Sequence, residues 1–388
     1  MLPEFNNTEV AFKYRNNSEL KRAKLLFSFM GSPAITSVGI KLTQAAISWR
    51  LPVKGLIKYT LFNQFCGGET MEEAGDTAGM LAGYGVSTIL DYGVEGKESE
   101  ADFDKAVPEF IKAIKYAAAN KNIPFISIKV TGFARFALLE KIHAGDALTE
   151  AEQQERDRVL NRIDQICAAA AASNIMVLID AEESWIQLPV DEMADLMMER
   201  YNKTKPYIYN TFQLYRHDRL EFLQVSYDRA QQKGYLLGAK LVRGAYMEKE
   251  RNRAAELGYT SPIQPDKVST DKDYDAAVLY CLERISGLGL FIGTHNEQSC
   301  LKAATYMEAH NIPATTDRVF FSQLFGMSDN ISFNLANSKY HVAKYLPYGP
   351  VRDVVPYLMR RAQENTSVAG QTGRELSLIN QEMKRRKL

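Results

Sequence analysis

The sequence predicts an α/β protein built as a (β/α)8 barrel of the TIM type, and three observations support that fold class. From Gly85 onward, short runs of β-forming residues alternate with amphipathic helical stretches, which is the pattern of repeated βα units and a parallel sheet. Eight such runs can be counted. The eight units together occupy roughly 300 residues, the size of one barrel.

The predicted strands are short apolar runs bounded by turn-forming residues. In chain order they are Val86 to Tyr92, Phe125 to Val130, Met176 to Asp180, Tyr207 to Tyr215, Leu236 to Val242, Leu290 to Thr294, Val319 to Gln323 and Lys344 to Tyr348. Helices are predicted over Phe103 to Asn120, Glu152 to Ser173, Asp191 to Asn202, Leu220 to Lys233, Asp271 to Ser286, Glu297 to His310 and Val354 to Asn365. An open doubly wound sheet is the alternative, but it would carry a glycine-rich loop after its first strand, and Gly83 and Gly85 precede that strand.

The two ends of the chain lie outside the repeat. Residues 1–80 are predicted to form extra helices, residues 81–370 the barrel, and residues 371–388 a basic C-terminal tail. The uncharged stretch between Lys24 and Lys41 is interrupted by polar residues and is too short for a membrane span, so a buried helical segment is predicted there. The basic cluster Lys384 to Lys387 could touch anionic lipid, although solvated basic tails are commoner.

Composition excludes several classes of protein. Of 388 residues, 47 are basic and 47 acidic, so no overall field attracts nucleic acid. The four cysteines, Cys66, Cys167, Cys281 and Cys300, include no C-x-x-C pair, which favours a reducing compartment and predicts no metal site. The first twelve residues show no secretory or mitochondrial targeting pattern, so a cytoplasmic location is expected.

Each predicted strand ends in polar residues, at the mouth where catalytic groups of such barrels lie. These residues are Lys129, Asp180, Gln213, Lys240 with Arg243, His295, Gln323 and Tyr345. A single one could be a solvated surface group. Several converging on one mouth indicate a ligand site, because burying charges together is costly unless they serve a ligand or each other.

The densest pattern runs from Tyr345 into the last predicted helix. On a helix, Tyr357, Arg360, Arg361 and Glu364 share one face. Two adjacent guanidinium groups beside an aromatic ring can clamp a carboxylate, since each can donate two parallel hydrogen bonds. A salt-bridged surface face, with Glu364 neutralising Arg361, is the alternative.

Four motifs in order resemble the proline dehydrogenase family. They are Ile179-Asp-Ala-Glu-Glu183, Lys240-Leu-Val-Arg-Gly-Ala-Tyr246, Gly293-Thr-His-Asn296 and the segment from Tyr345 to Asn365. The match covers most of the chain. It implies FAD bound at the mouth of a distorted barrel, with the last helix over the active site.

The resemblance also implies roles for individual residues. For L-proline, Arg360, Arg361 and Lys129 would bind the carboxylate, Asp180 would hold Lys129, and Tyr345, Tyr357, Leu324 and Tyr246 would enclose the ring. For FAD, the contacts would be Gln213 at the pyrimidine edge, Lys240 and Arg243 near the isoalloxazine and phosphates, the backbone of Val242, Gly244 and Ala245, and His295 and Glu364.

The implied reaction converts proline to Δ1-pyrroline-5-carboxylate by hydride transfer from C5 to flavin N5, with electrons passed to a quinone. This is the first step of proline catabolism to glutamate. The chain would then visit the inner face of a membrane, with the uncharged Leu25 to Ile40 segment and the basic tail as candidate contacts, and a pyrroline-5-carboxylate dehydrogenase could receive the product.

Two other functions remain open from the residues alone. Lys129 could serve as a Schiff-base lysine for pyridoxal phosphate, a chemistry that barrels also host. A non-catalytic barrel that binds an amino acid as a sensor is the second. The absorbance spectrum of the purified protein distinguishes a flavoenzyme from a pyridoxal-phosphate enzyme. Proline binding without a cofactor would identify a sensor.

Overall fold

The structure is a computed structural model that describes residues 2–31, 54–92, 98–367 and 371–388. Eight strands close into a barrel in the order of the chain, which confirms the predicted fold class. The strands are β1 (Val86–Tyr92), β2 (Phe125–Lys129), β3 (Met176–Asp180), β4 (Ile208–Gln213), β5 (Leu237–Val242), β6 (Leu288–Gly293), β7 (Val319–Leu324) and β8 (Val342–Tyr348).

Strand register determines which candidate side chains are neighbours. The paired strands are parallel, so their carboxyl ends lie at one edge. Lys129 at the end of β2 is in register with Asp180 at the end of β3. Further around the barrel, Gln213 at the end of β4 is in register with Val242 of β5. Candidate residues distant in sequence are therefore adjacent at the strand ends.

Helices follow the strands as βα units require. In the N-terminal region they are α1 (Thr8–Phe12), α2 (Asn17–Met30), α3 (Lys54–Ile57), a π-helical turn (Lys58–Phe62), α4 (Asn63–Phe65) and α5 (Met71–Ala82). Around the barrel they are α6 (Glu100–Ala118), α7 (Phe136–His143), α8 (Glu150–Ala172), α9 (Gln187–Tyr201), α10 (Arg219–Lys233), α11 (Met247–Leu257), α12 (Lys267–Glu283), α13 (Glu297–Ala309), α14 (Asp329–Asn337), α15 (Val351–Ser367) and α16 (Gln371–Arg385).

Local sequence explains where several helices begin. Ser99 caps α6, and Thr149 caps α8 in a capping box with Glu152. Asn296 caps α13, where its side-chain oxygen accepts hydrogen bonds from the backbone amides of Gln298 and Ser299. Asn296, three residues after strand β6 ends, thus fixes where the following helix begins.

Helix α14 was not predicted from the sequence. Its residues are Asp-Asn-Ile-Ser-Phe-Asn-Leu-Ala-Asn, and asparagine and serine favour turns and caps over helix interiors. The residue before it, Ser328, has a left-handed backbone with φ of 49°. Tertiary contacts therefore stabilise this helix, and Asp329 at its first position supplies many of them.

The chain divides into two compact units. The terminal unit comprises the described residues of 3–94 and 323–388, and the central unit those of 95–322. Neither unit coincides with the three segments predicted from the sequence, whose boundaries stay a prediction.

The predicted basic tail is largely the helix α16. Leu378 and Ile379 on this helix are buried in the core of the terminal unit. Glu382 is fully buried and pairs with the Arg385 Nε and Arg386 Nε atoms at 2.8 and 2.6 Å. A buried carboxylate on the same helix thus binds both arginines, while the Arg385 side chain stays 44% exposed and that of Arg386 17% exposed.

Among the described residues, no helix combines the length and the apolar character that a membrane crossing requires. The predicted buried helix between Lys24 and Lys41 falls partly on α2, where Phe27 and Met30 are buried. Residues 32–41, and with them most of the candidate membrane contact from Leu25 to Ile40, lie outside the described part of the chain.

Candidate active site

An ion pair joins two predicted site residues inside the central unit. Lys240 of β5 and Asp180 of β3 lie 2.6 Å apart, from Nζ to Oδ1. Lys240 is buried, and the Asp180 side chain is 17% exposed. The resemblance assigned Asp180 to Lys129, its register neighbour. The structure adds Lys240 as a partner of the same carboxylate.

Arg243, just beyond β5, is held by four groups. Its Nε donates to Asp271 Oδ1 at 2.7 Å, its Nη1 to Thr294 Oγ1 at 2.7 Å and its Nη2 to Ser299 Oγ at 3.0 Å. The guanidinium carbon lies 4.2 Å from the centre of the Tyr274 ring, a cation–π contact. This arginine is consequently fixed in position before any ligand binds.

Backbone conformation explains the glycine after Arg243. Gly244 has φ of 137°, and a Cβ atom there would lie 2.4 Å from the ring of Tyr215. Residues other than glycine rarely adopt this backbone region. Gly244 and Ala245 are exposed, so their backbone groups are open to solvent at the carboxyl end of β5.

Gln213 and a carboxylate that the sequence analysis did not single out are connected. Gln213 is buried, and its Nε2 donates to the backbone oxygen of Glu182 at 2.7 Å. The buried Glu182 carboxylate accepts hydrogen bonds from the backbone amide and hydroxyl of Thr131, at 3.1 and 2.6 Å. Burial raises the pKa of Glu182 to about 7, while Thr131 and the positive charge of Lys129 act in the opposite direction.

Glu250 is a second functional candidate that was missed. It is fully buried on α11, and its carboxylate accepts hydrogen bonds from the Ser184 amide and hydroxyl at 2.7 and 2.6 Å. It thereby fixes the segment after β3 to the helix after β5. The acidic run from Asp180 to Glu183, at the end of a predicted strand, could have indicated Glu182 from the sequence. No comparable sequence pattern marks Glu250.

The other candidates of the central unit lie where the sequence placed them. Lys129, Val242, Tyr246 and His295 are partly buried, at or just after the ends of β2, β5 and β6. The central unit thus brings together the predicted FAD contacts Gln213, Lys240, Val242, Arg243, Gly244, Ala245 and His295 on consecutive strand ends.

Tyr345 and Leu324 are neighbours in the terminal unit. Tyr345 is buried in β8, and the residue after Leu324, Phe325, donates its backbone amide to the Tyr345 oxygen at 2.8 Å. The predicted ring-enclosing residues of β7 and β8 are thus connected through the backbone.

Tyr357 and Arg361 lie one turn apart on α15. The Arg361 guanidinium carbon is 5.1 Å from the centre of the Tyr357 ring. Arg361 is buried, and Tyr357 packs against the apolar core of the terminal unit. This contradicts the alternative of a solvated helix face for these two side chains. Arg360 and Glu364 lie on the same helix, but their side chains fall outside the described part.

Among the described residues, no group of three or more histidine, cysteine, aspartate or glutamate side chains is arranged to bind a metal ion. The four cysteines are buried and free, and burial raises the pKa of each thiol.

Comparison with known proteins places this chain in a family. A family model described as Proline dehydrogenase matches residues 74–374. The carbapenem antibiotics biosynthesis protein CarD of Pectobacterium carotovorum subsp. carotovorum is 35% identical, covering 84% of this chain and 85% of that protein. The hydroxyproline dehydrogenase of Xenopus laevis is 31% identical, covering 97% of this chain and 88% of that protein.

A solved structure shares the fold. Proline utilization A (PutA) from Bdellovibrio bacteriovorus, inactivated by N-propargylglycine, aligns with a TM-score of 0.74 at 18% identity. The alignment covers 95% of this chain but only 40% of that one, so the chain spans less than half of the longer protein. On the family model, which matches well over half of its length, this chain belongs to the proline dehydrogenase family of oxidoreductases.

Proposed function

We propose that this protein oxidises L-proline to Δ1-pyrroline-5-carboxylate with FAD, the first step of proline catabolism. The observation that carries the proposal is the family match over residues 74–374 together with the polar residues of the central unit. One relative is named hydroxyproline dehydrogenase. The substrate could therefore be proline or its 4-hydroxy derivative, and we propose proline.

The residues of the central unit fit FAD. Lys240 and Arg243 supply positive charge beside exposed backbone groups of Gly244 and Ala245, a donor set suited to an anionic cofactor. Gln213, fixed through Glu182, offers an amide for recognition of a pyrimidine edge. We assign these residues, with Val242, His295 and Glu364, to cofactor binding. FAD supplies a hydride acceptor at N5.

The protein side chains would bind and orient the substrate. Arg360, Arg361 and Lys129 are assigned to the proline carboxylate, and Tyr246, Leu324, Tyr345 and Tyr357 to its ring. Anchoring the carboxylate restricts the ring to poses in which C5 faces the acceptor, and such positioning can supply much of the rate. Fixed cations near a reduced flavin also favour the reduced state.

Asp180 would act through its partners. Its ion pair with Lys240, and its register pairing with Lys129, allow one carboxylate to position both lysines. Proline must also lose its amine proton before C5 can donate hydride.

The wider physiology follows from the same proposal. A quinone is proposed as the electron acceptor, which requires contact with a membrane surface, and a pyrroline-5-carboxylate dehydrogenase as the enzyme that takes the product. The four free, buried cysteines support a reducing compartment such as the cytoplasm. In that compartment the protein would contact the inner face of the membrane.

Anaerobic addition of L-proline to the purified protein tests cofactor, substrate and reaction together. We expect a yellow protein whose flavin absorbance is bleached by proline but not by NADPH. Folded, colourless protein that FAD cannot reconstitute would refute the proposal. A single aldimine band lost on borohydride treatment would favour pyridoxal phosphate on Lys129, and proline binding without any chromophore would favour a sensor.

A further inference from the structure

The loop after β7, residues 324–328, has an unusual backbone; we call it the β7 loop. Gly326 has φ of 77°, and Ser328 has φ of 49°. A Cβ atom on Gly326 would lie 1.8 Å from the backbone oxygen of Gln64. A non-glycine residue in the left-handed region costs free energy and persists only where its surroundings enforce it.

Side chains from distant elements hold the backbone of the β7 loop. Lys344 of β8 donates through Nζ to the backbone oxygens of Met327 and Leu324, at 2.8 and 3.3 Å. Gln64 of α4 donates through Nε2 to the backbone oxygen of Gly326 at 2.6 Å. Three backbone oxygens of one five-residue loop are thus bound by two buried side chains.

Glu375 of the C-terminal helix α16 holds the far end of the loop. Its carboxylate accepts a hydrogen bond from the backbone amide of Ser328, the residue with the left-handed conformation. Glu375 is buried, as is Ser328. A helix outside the βα repeat thereby contacts the segment that begins with the predicted ring-enclosing Leu324.

A cluster of buried charged groups surrounds these contacts. Asp329 binds Lys344 at 2.9 Å, and its other oxygen accepts from Arg15 and from the Tyr14 hydroxyl at 3.1 and 2.6 Å. Lys344 is fully buried, and the Asp329 and Arg15 side chains are nearly so. The side chains of Lys344 and Arg15 are thus buried together with the carboxyl groups of Asp329 and Glu375. Burying charged groups costs free energy unless well-placed ion pairs and hydrogen bonds compensate for the lost hydration.

We infer that Glu375 and Lys344 are positioning residues that fix Leu324 and Tyr345 through the β7 loop and so set the discrimination between proline and 4-hydroxyproline. The inference rests on the proposed function. Lys344 precedes Tyr345 in β8 and binds the backbone of Leu324, while Phe325 joins the loop to the Tyr345 backbone. A shift of the loop would therefore move Leu324 and Tyr345, two of the residues proposed to enclose the substrate ring.

The ionisation of Glu375 ties this discrimination to pH. Burial, and then the negative charge of Asp329, raise the pKa of Glu375 to about 7, while the Ser328 amide, Lys344 and Arg15 oppose that rise. The carboxyl group therefore changes charge between roughly pH 6 and 8. Loss of its proton adds a second negative charge near Asp329, which changes the balance of the cluster that holds the loop.

Glu375→Ala, Glu375→Gln and the control Glu382→Ala test the inference. Glu382 is a buried carboxylate on the same helix that binds Arg385 and Arg386. The measurement is the ratio of kcat/KM for trans-4-hydroxy-L-proline to that for L-proline between about pH 6 and 8, with FAD content and Tm recorded. Glu375→Ala should raise the ratio roughly tenfold, since small misplacements of positioning groups are costly for the preferred substrate.

Glu375→Gln should restore most of the wild-type ratio, because its amide oxygen can still accept from Ser328, and should remove the pH dependence of the ratio. Glu382→Ala should lower Tm without changing the ratio. An equal change of ratio in both alanine variants, or none in Glu375→Ala, overturns the inference. If Glu375→Ala does not fold, the wild-type protein and Glu375→Gln test the inference. The inference is overturned if the wild-type ratio does not depend on pH, or if the ratio still depends on pH in Glu375→Gln.

The wild-type arm separates the two proposals. Wild-type protein that does not oxidise proline refutes the proposed function, and the inference with it. Wild-type protein that oxidises proline, with a ratio that Glu375→Ala leaves unchanged, refutes the inference alone.

Discussion

The ammonium nitrogen of Lys240 lies 2.6 Å from a carboxylate oxygen of Asp180 and so connects the third and fifth strands of the barrel. Both side chains are largely buried. Breaking a buried pair leaves one charge uncompensated, which costs more than the pair contributes.

Asp180→Asn should lower the free energy of unfolding by about 3 kcal/mol, because Lys240 would remain buried and charged without its partner. Urea unfolding measures the change. The exposed pair Lys233–Glu199, also 2.6 Å apart, is the matched control, and Lys233→Ala should cost less than about 1 kcal/mol. Equal losses in the two variants would show that the Asp180 pair is effectively solvated.

Gly244→Ala should lower both stability and FAD content. Its φ of 137° and the Tyr215 ring, 2.4 Å from an added Cβ, forbid a methyl group without movement of the loop, so we expect a loss of about 2 to 3 kcal/mol. Gly258→Ala is the control, since φ there is 72° and no atom lies within 4 Å of the added Cβ. That variant should lose about 1 kcal/mol and keep its flavin.

Glu182→Gln should change the pH dependence of stability. The folded pKa of Glu182 is raised to about 7, chiefly by burial, above the ordinary value of 4.5. Its contribution to stability is therefore fully present below about pH 4.5 and is lost as the pH rises towards 7. Because glutamine does not titrate, the Tm of the variant relative to wild type should increase from acid to neutral pH.

Thermal melts at several pH values between about 5 and 8 measure this trend, which derives from the raised pKa. Glu199→Gln, which alters a carboxylate whose pKa is lowered by its hydrogen bond from Lys233, serves as the comparison and should show no upward trend. A flat difference for Glu182→Gln would mean that Glu182 keeps an ordinary pKa.

Tyr345→Ser should weaken proline turnover and raise the relative activity on 4-hydroxyproline. Tyr345 is buried in the middle of β8, and its ring is proposed to fill the space beside C4 of the substrate. Removing the ring leaves room for a hydroxyl group. Steady-state kinetics with both substrates give the ratio, and an unchanged ratio would show that Tyr345 does not line the ring pocket.

Arg361→Ala should reduce kcat/KM for proline on the order of a hundredfold or more, since truncating one partner of a buried charge pair typically costs about 3 to 5 kcal/mol. Arg360→Ala should behave similarly. Arg361→Lys should recover only part of the loss, because lysine lacks the planar fork. Arg156→Ala, at an exposed arginine paired with Asp157, is the control and should leave kinetics unchanged. Near wild-type kcat/KM in both Arg360→Ala and Arg361→Ala, with FAD content unaltered, would refute the carboxylate clamp.

Periodicity and turn residues were sufficient to predict the barrel. Strands β1 and β3 were predicted with the bounds that the structure has, and the other strands within a few residues. Such strands are defined by local runs of buried apolar residues, so their signal is present in the sequence itself. Helix α14 was not predicted, because its asparagine and serine residues favour other conformations. In the folded protein, buried contacts of Asp329 override that preference.

The sequence by itself determined the fold class, the family and which polar residues follow each strand. Only the tertiary structure decided how those residues are paired: Asp180 with Lys240, Glu182 with Thr131, and Glu375 with Ser328. The physical reason is that each pairing joins segments separated along the chain, and partner choice depends on strand register and helix packing. Neither the strand register nor the helix packing can be read from the residue types around a single position.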